Sequence, residues 1–175
     1  MAAKDLMKAG VDVWATRETL DAANLFGHRA QEITPMRQTK IGSWQVKPFL
    51  LHHDVQCVGL LLNSCATNES ALWACDTQFV HNRFEGKFNI IAIECNYALD
   101  ILRSNLESGA LGIEAARRAI KNHMSLSTCI EFLKANDMAK VQEIHLLHLS
   151  DGNSDAERFK MEIQSLTARP VWIGG

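Results

Sequence analysis

Residues 144–154, Ile144-His145-Leu146-Leu147-His148-Leu149-Ser150-Asp151-Gly152-Asn153-Ser154, run from an apolar stretch onto an imidazole and then into a turn. Ile144 to Leu147 has strand length, and Ser150-Asp151-Gly152-Asn153 is a turn-rich tetrapeptide. A helical pattern from Ser154 to Leu166 follows, then an apolar run from Pro170 to Ile173. Strand, helix and strand in that order mean α/β layering. In an open α/β sheet, ligands collect in the crevice beyond the carboxyl ends of the strands, and His148 stands at such an end.

Three other apolar runs stop in the same way. Val46 to Leu51 leads to His53, Ala71 to Cys75 to Asp76, and Asn89 to Ile93 to Glu94. Singly, a His or Asp at a strand end is a cap or turn residue. Jointly, four metal-ligand or acid/base types at four strand ends predict one shared pocket. His52 and His53 are adjacent on an extended chain, so they point to opposite faces and only one reaches that pocket; the same holds for His145 and His148. His123, in Asn122-His123-Met124-Ser125, falls between two expected helices; it reads equally as a functional loop residue and as a helix C-terminal His favoured by the dipole. His28 and His81 have no constellation around them, and Arg117, Arg118 and Lys121 read as a solvated helix face.

The rest of the chain fills in around these ends. A helix over Asp5 to Ala9 closes at Gly10, a short strand covers Val11 to Ala15, and Thr16 caps a helix from Arg17 to Leu25. Pro35 to Thr39 is a polar connector. Trp44 to Leu51 and Cys57 to Asn63 are neighbouring strands, and Ala66 to Ser70 turns into Leu72 to Cys75, an antiparallel or mixed portion. After Asp76 the strand Phe88 to Ile93 feeds a helix from Tyr97 to about Leu106. Helices over Ile113 to Lys121 and Leu126 to Ala135 follow, the last capped by Ser125, and then the strand Val141 to Leu147.

Composition sets the outer limits. At 175 residues and 47% apolar content, with mean hydropathy near zero, the whole chain, 1–175, is expected to be a single domain with a real core. A net charge of -2 with both signs intermixed gives no footprint for duplex DNA. No apolar stretch is long enough to span a bilayer and no signal-peptide core opens the chain, so a cytoplasmic protein is expected. The five cysteines form an odd set without a Cys-x-x-Cys pair, which argues against a disulfide framework or zinc knuckle; Cys75 and Cys95 read as small hydrophobes in apolar runs.

The runs Trp73-Ala74-Cys75-Asp76-Thr77, Ile93-Glu94-Cys95-Asn96-Tyr97, Asn122-His123-Met124-Ser125 and the 145–154 segment resemble the metallo-β-lactamase superfamily, nearest the bacterial and phage branch around ribonuclease Z and the phage cyclic-nucleotide phosphodiesterases. The likeness covers nearly all of residues 4–173. It implies an αββα sandwich of mixed sheets with flanking helices, and two metal ions, usually zinc. By position His53 corresponds to the family's later His ligand, Asp76 to its bridging carboxylate and His148 to its final His, while Glu94 and His123 resemble the pair that delivers a proton to the leaving group. The implied chemistry is metal-assisted phosphodiester hydrolysis.

The family's His-x-His-x-Asp-His loop is absent, and nothing up to His28 replaces it. The resemblance therefore implies an N-terminally truncated domain. His53, Asp76 and His148 would hold at most one weakly bound zinc or manganese ion, and the chain alone would not be catalytically competent. Missing strands would leave an apolar sheet face and an open edge, so a homo-oligomer or a partner protein is expected to cover it. Two readings stand side by side: a phosphodiesterase-type hydrolase region acting on a small nucleotide or an RNA phosphodiester, and a non-catalytic, phage-borne binding or inhibitor protein on the same fold. A third, a fragment without a function of its own, also stands.

Overall fold

A computed structural model describes residues 2–84 and 88–174. Seven strands form one mixed sheet in chain order: β3 (Thr39–Ile41), β4 (Trp44–Leu50), β5 (Val58–Ser64), β6 (Ser70–Ala74), β7 (Ile90–Glu94), β8 (Glu143–Leu147) and β9 (Val171–Ile173). The first four pair antiparallel, and β6 to β9 are parallel. Between β7 and β8 lie α3 (Leu99–Glu107), α4 (Ile113–Asn122) and α5 (Leu126–Ala135); α6 (Ala156–Thr167) connects β8 to β9. Ahead of the sheet, α1 (Ala2–Lys8) and α2 (Arg17–Ala22) flank a two-stranded parallel ribbon, β1 (Val13–Ala15) with β2 (Ala30–Glu32).

Register explains where the core sits. Leu61, Leu72, Ile91, Ile144 and Val171 are cross-strand partners in sequence along the sheet, so they share one face. Phe132 and Leu133 of α5 and Phe159 and Ile163 of α6 close over it in one buried cluster. Each fully buried side chain of this size contributes roughly 1.5–3 kcal/mol of transfer free energy. On the other face run Leu60, Trp73, Ala92, His145 and Trp172, again joined by register. Trp73 is 37% exposed and Trp172 52% exposed, so this face is only partly covered.

The sequence-based elements shift in a few places for local reasons. The helix expected from Tyr97 starts at Leu99, because Tyr97 is held in a parallel bridge to Ser125. The helix expected from Ser154 starts after Asp155, whose carboxylate accepts from the Arg158 N–H while Ser154 Oγ bonds back to Ser150 O. The strand expected from Phe88 begins at Ile90, since Asn89 turns its side chain to the Ser70 amide. Residues 30–32 and 39–41 are three-residue strands; the sequence pattern assigns no element to the first, and puts only Thr39 of the second in the polar connector.

Candidate functional site

Asp76, Glu94 and His148 follow or end β6, β7 and β8, which are adjacent in the sheet, so chain topology alone lines them up along one edge. The backbone turns sharply at two of them. Asp76 has φ 55° and His148 φ 56°, the left-handed conformation that Asp and His enter more readily than most residues but that still carries strain. These bends take each side chain out of the strand's alternation. His148 is then fixed from behind: Asn96 Nδ2 donates to its carbonyl at 2.6 Å, and the Cys95 and Ser150 amides bond to Leu147 O and Asn96 O.

His123 arrives from the helical layer. The Asn96 amide donates to Met124 O and the Leu126 amide to Tyr97 O, which zips the α4–α5 junction alongside the residues after β7. Ser125 sets the same junction by capping α5, its hydroxyl accepting from the Thr128 N–H. His123 is the C-terminal cap residue of α4, and its ring reaches Glu94.

Glu94 is the hub. It is fully buried, and its Oε2 accepts from the Thr77 N–H at 2.6 Å. Its Oε1 lies 2.7 Å from His123 Nδ1 and 3.2 Å from His148 Nδ1, and the latter nitrogen is also 3.0 Å from Asp76 Oδ1. Asp76, Glu94, His123 and His148 each offer one ligand atom, and the four atoms lie within 4.8 Å of one another. Two imidazole nitrogens and two carboxylates are the donor chemistry of zinc and related divalent ions, so the residues present fit a metal. The hydrogen bond to Glu94 raises the His123 pKa against an opposing effect of burial.

His53 stands beside this group rather than in it. Its ring centroid is 5.8 Å from that of His123, and its Nδ1 is 2.7 Å from Asp54 Oδ1. Asp54 in turn accepts from Asn122 Nδ2 at the end of α4. The Nδ1 side of the ring is occupied, by Asp54 and by the Val55 N–H at 3.4 Å, which leaves Nε2 as the free ligand atom. Thr77, Asn96 and Asp54 position the site, yet sequence reasoning passed over them; each directly follows, or lies within two residues of, a residue that was singled out. Of the nearby cysteines, burial first and then Asp76 and Glu94 push the Cys57 thiol up to about 11, and burial with Glu94 pushes Cys75 up to about 12. Both are protonated thiols at neutral pH. Cys95, hydrogen-bonded to Cys129 and buried, is held higher still, as befits a core residue.

No family model matches the sequence, and no curated protein does. Solved structures do match the fold. The metallo-β-lactamase fold protein YhfI from Bacillus subtilis superposes with a TM-score of 0.68 at 14% identity, covering 93% of this chain and 61% of its own. Unliganded yeast PDE1 gives 0.61 at 14% identity, covering 94% and 58%, and a diphosphatase from the PhnP family gives 0.58 at 10% identity, covering 94% and 55%. The chain has the metallo-β-lactamase fold and spans between 55% and 61% of the length of these proteins. No helix of the described residues is long and apolar enough to cross a membrane.

Proposed function

We propose that this chain carries one side of a metal-dependent phosphodiester hydrolase site. The observation behind this reading is the convergence of Asp76, Glu94, His123 and His148 at the carboxyl ends of three adjacent strands. Asp76 and His148 of that cluster would hold a zinc or manganese ion, joined by His53 if its ring swings in from beside them, three protein ligands being the usual set for a catalytic zinc. When bound, the ion supplies Lewis acidity toward a phosphoryl oxygen. Glu94 holds His123 with Nδ1 occupied, so its other ring nitrogen is the one left to give a proton to a leaving-group oxygen. That a PDE1 and a diphosphatase share the fold supports phosphorus chemistry. A small nucleotide or an RNA phosphodiester is the proposed substrate.

The sequence contains no His-x-His-x-Asp-His segment, so a second ion would need ligands from outside these residues. The half-exposed row of Trp73 and Trp172 supports a homo-oligomer or partner protein seated on that sheet face. The same two observations favour the second reading, a non-catalytic binding or inhibitor protein.

Metal analysis and hydrolysis of bis-nitrophenyl phosphate separate them. The hydrolase reading expects about one bound zinc or manganese ion per chain and turnover that disappears in Asp76→Ala. Metal-free protein that stays inert when supplied with zinc or manganese refutes it.

A further inference from the structure

The face of α4 that borders the candidate site carries charge with no use inside the fold. A cavity of about 550 Å³ is lined by Arg117, Arg118, Lys121, Asp54, Glu114 and Asn122. Both of its acids are already engaged, Asp54 by His53 and Asn122 and Glu114 by Arg117 at 2.8 Å. Arg118 and Lys121, three residues apart and therefore on the same helix face, have no ion-pair partner among the described residues. Arg118 also lines the adjoining cavity, of about 340 Å³, whose wall includes His123, His148, Asn96 and one acid, Asp151. The two hollows thus share Ala115 and Arg118, and the Arg118 charge opposes protonation of His123.

We infer that Arg118 and Lys121 bind a phosphate neighbouring the one at the Asp76–His148 cluster, so that the preferred ligand is a single-stranded oligonucleotide and not a mononucleotide. The inference rests on the phosphodiester reading above. A guanidinium with five donors suits a backbone phosphate, and a lysine beside it adds a flexible point charge. Two unpaired cations at one edge of a chain of net charge -2 also fit a strand that touches locally, unlike a duplex that needs a broad basic stripe.

The test is fluorescence anisotropy with a short fluorescein-labelled oligoribonucleotide in EDTA, where no cleavage occurs. Both side chains are solvent-exposed, so Arg118→Gln/Lys121→Gln keeps the fold. The double variant is expected to bind about tenfold more weakly or worse, and its dependence of log Kd on log salt to flatten by about 0.7, the contribution of one single-strand phosphate contact. Lys134→Gln/Lys140→Gln, which touches neither cavity, is expected to leave both quantities unchanged. Wild-type protein that binds the oligonucleotide no better than AMP, or equal losses in the two double variants, overturns the inference. If the oligonucleotide binds as expected but no diester is cleaved with metal, only the hydrolase reading falls. If diesters are cleaved without any Arg118/Lys121 dependence of binding, only the present inference falls.

Discussion

Replacing Glu94 by Gln probes the hub of the site with almost no change of shape. The carboxylate makes three contacts inside a fully buried pocket: the Thr77 amide at 2.6 Å, His123 at 2.7 Å and His148 at 3.2 Å. Hydrogen bonds to a charged acceptor contribute about 1.5–3 kcal/mol each and neutral ones about 0.5–1.5 kcal/mol. A glutamine can keep its oxygen on Thr77, but its amide then serves only one of the two imidazoles. Weakening two bonds and losing the third predicts a destabilisation of about 3 kcal/mol, the range seen when one partner of a buried charged pair is removed. Urea denaturation of EDTA-treated protein reads this as a lower midpoint at unchanged slope. The loss also depends on pH, with a definite sign. Glu94 raises the folded-state pKa of His123 above its unfolded value of about 6.5, so the imidazolium–carboxylate contribution is complete below that pH and fades as pH rises through the folded value. The difference between wild type and Glu94→Gln should therefore be largest in mild acid and shrink in mild base. A difference below about 1 kcal/mol at every pH, or one that grows toward base, would refute the reasoning.

Three further outcomes follow from named contacts. Gly59→Ala would put a Cβ 2.3 Å from Phe49 Cζ in the β4–β5 pair, so it should destabilise by roughly 1–3 kcal/mol in a thermal melt. Ser125→Ala removes the α5 cap and should lower stability by about 1 kcal/mol while loosening the His123 junction, visible as faster amide exchange at Leu126 and Thr128. Zinc affinity, measured by calorimetry, should climb as pH rises from mild acid to mild base, because the proton that Glu94 holds on His123 repels a cation at Asp76 and His148.

The strand ends were legible because each apolar run meets an abrupt polar stop, and β4, β6, β7 and β8 fall where those stops place them. Helix α5 was read to its first and last residue, since Ser125 supplies the cap and the apolar spacing supplies the face. β2 and β3 escaped because three residues are too few to show alternation, and their Gln31, Glu32 and Lys40 carry no apolar signal. The convergence of His123 with Glu94 came from family resemblance alone; it depends on the long-range bonds of Asn96 to Met124 and of Leu126 to Tyr97, which no local pattern encodes. The turn of His53 toward Asp54 is equally invisible in sequence, being a side-chain choice within a loop.

The bends at Asp76 and His148 lie on either side of β7, and both are shapes that glycine fits with least strain. A polypeptide drifting only toward firmer folding would rewrite such positions as glycine or asparagine and gain by it. Holding an acid at one and an imidazole at the other leaves that gain untaken, so backbone strain is stored where the candidate ligands stand.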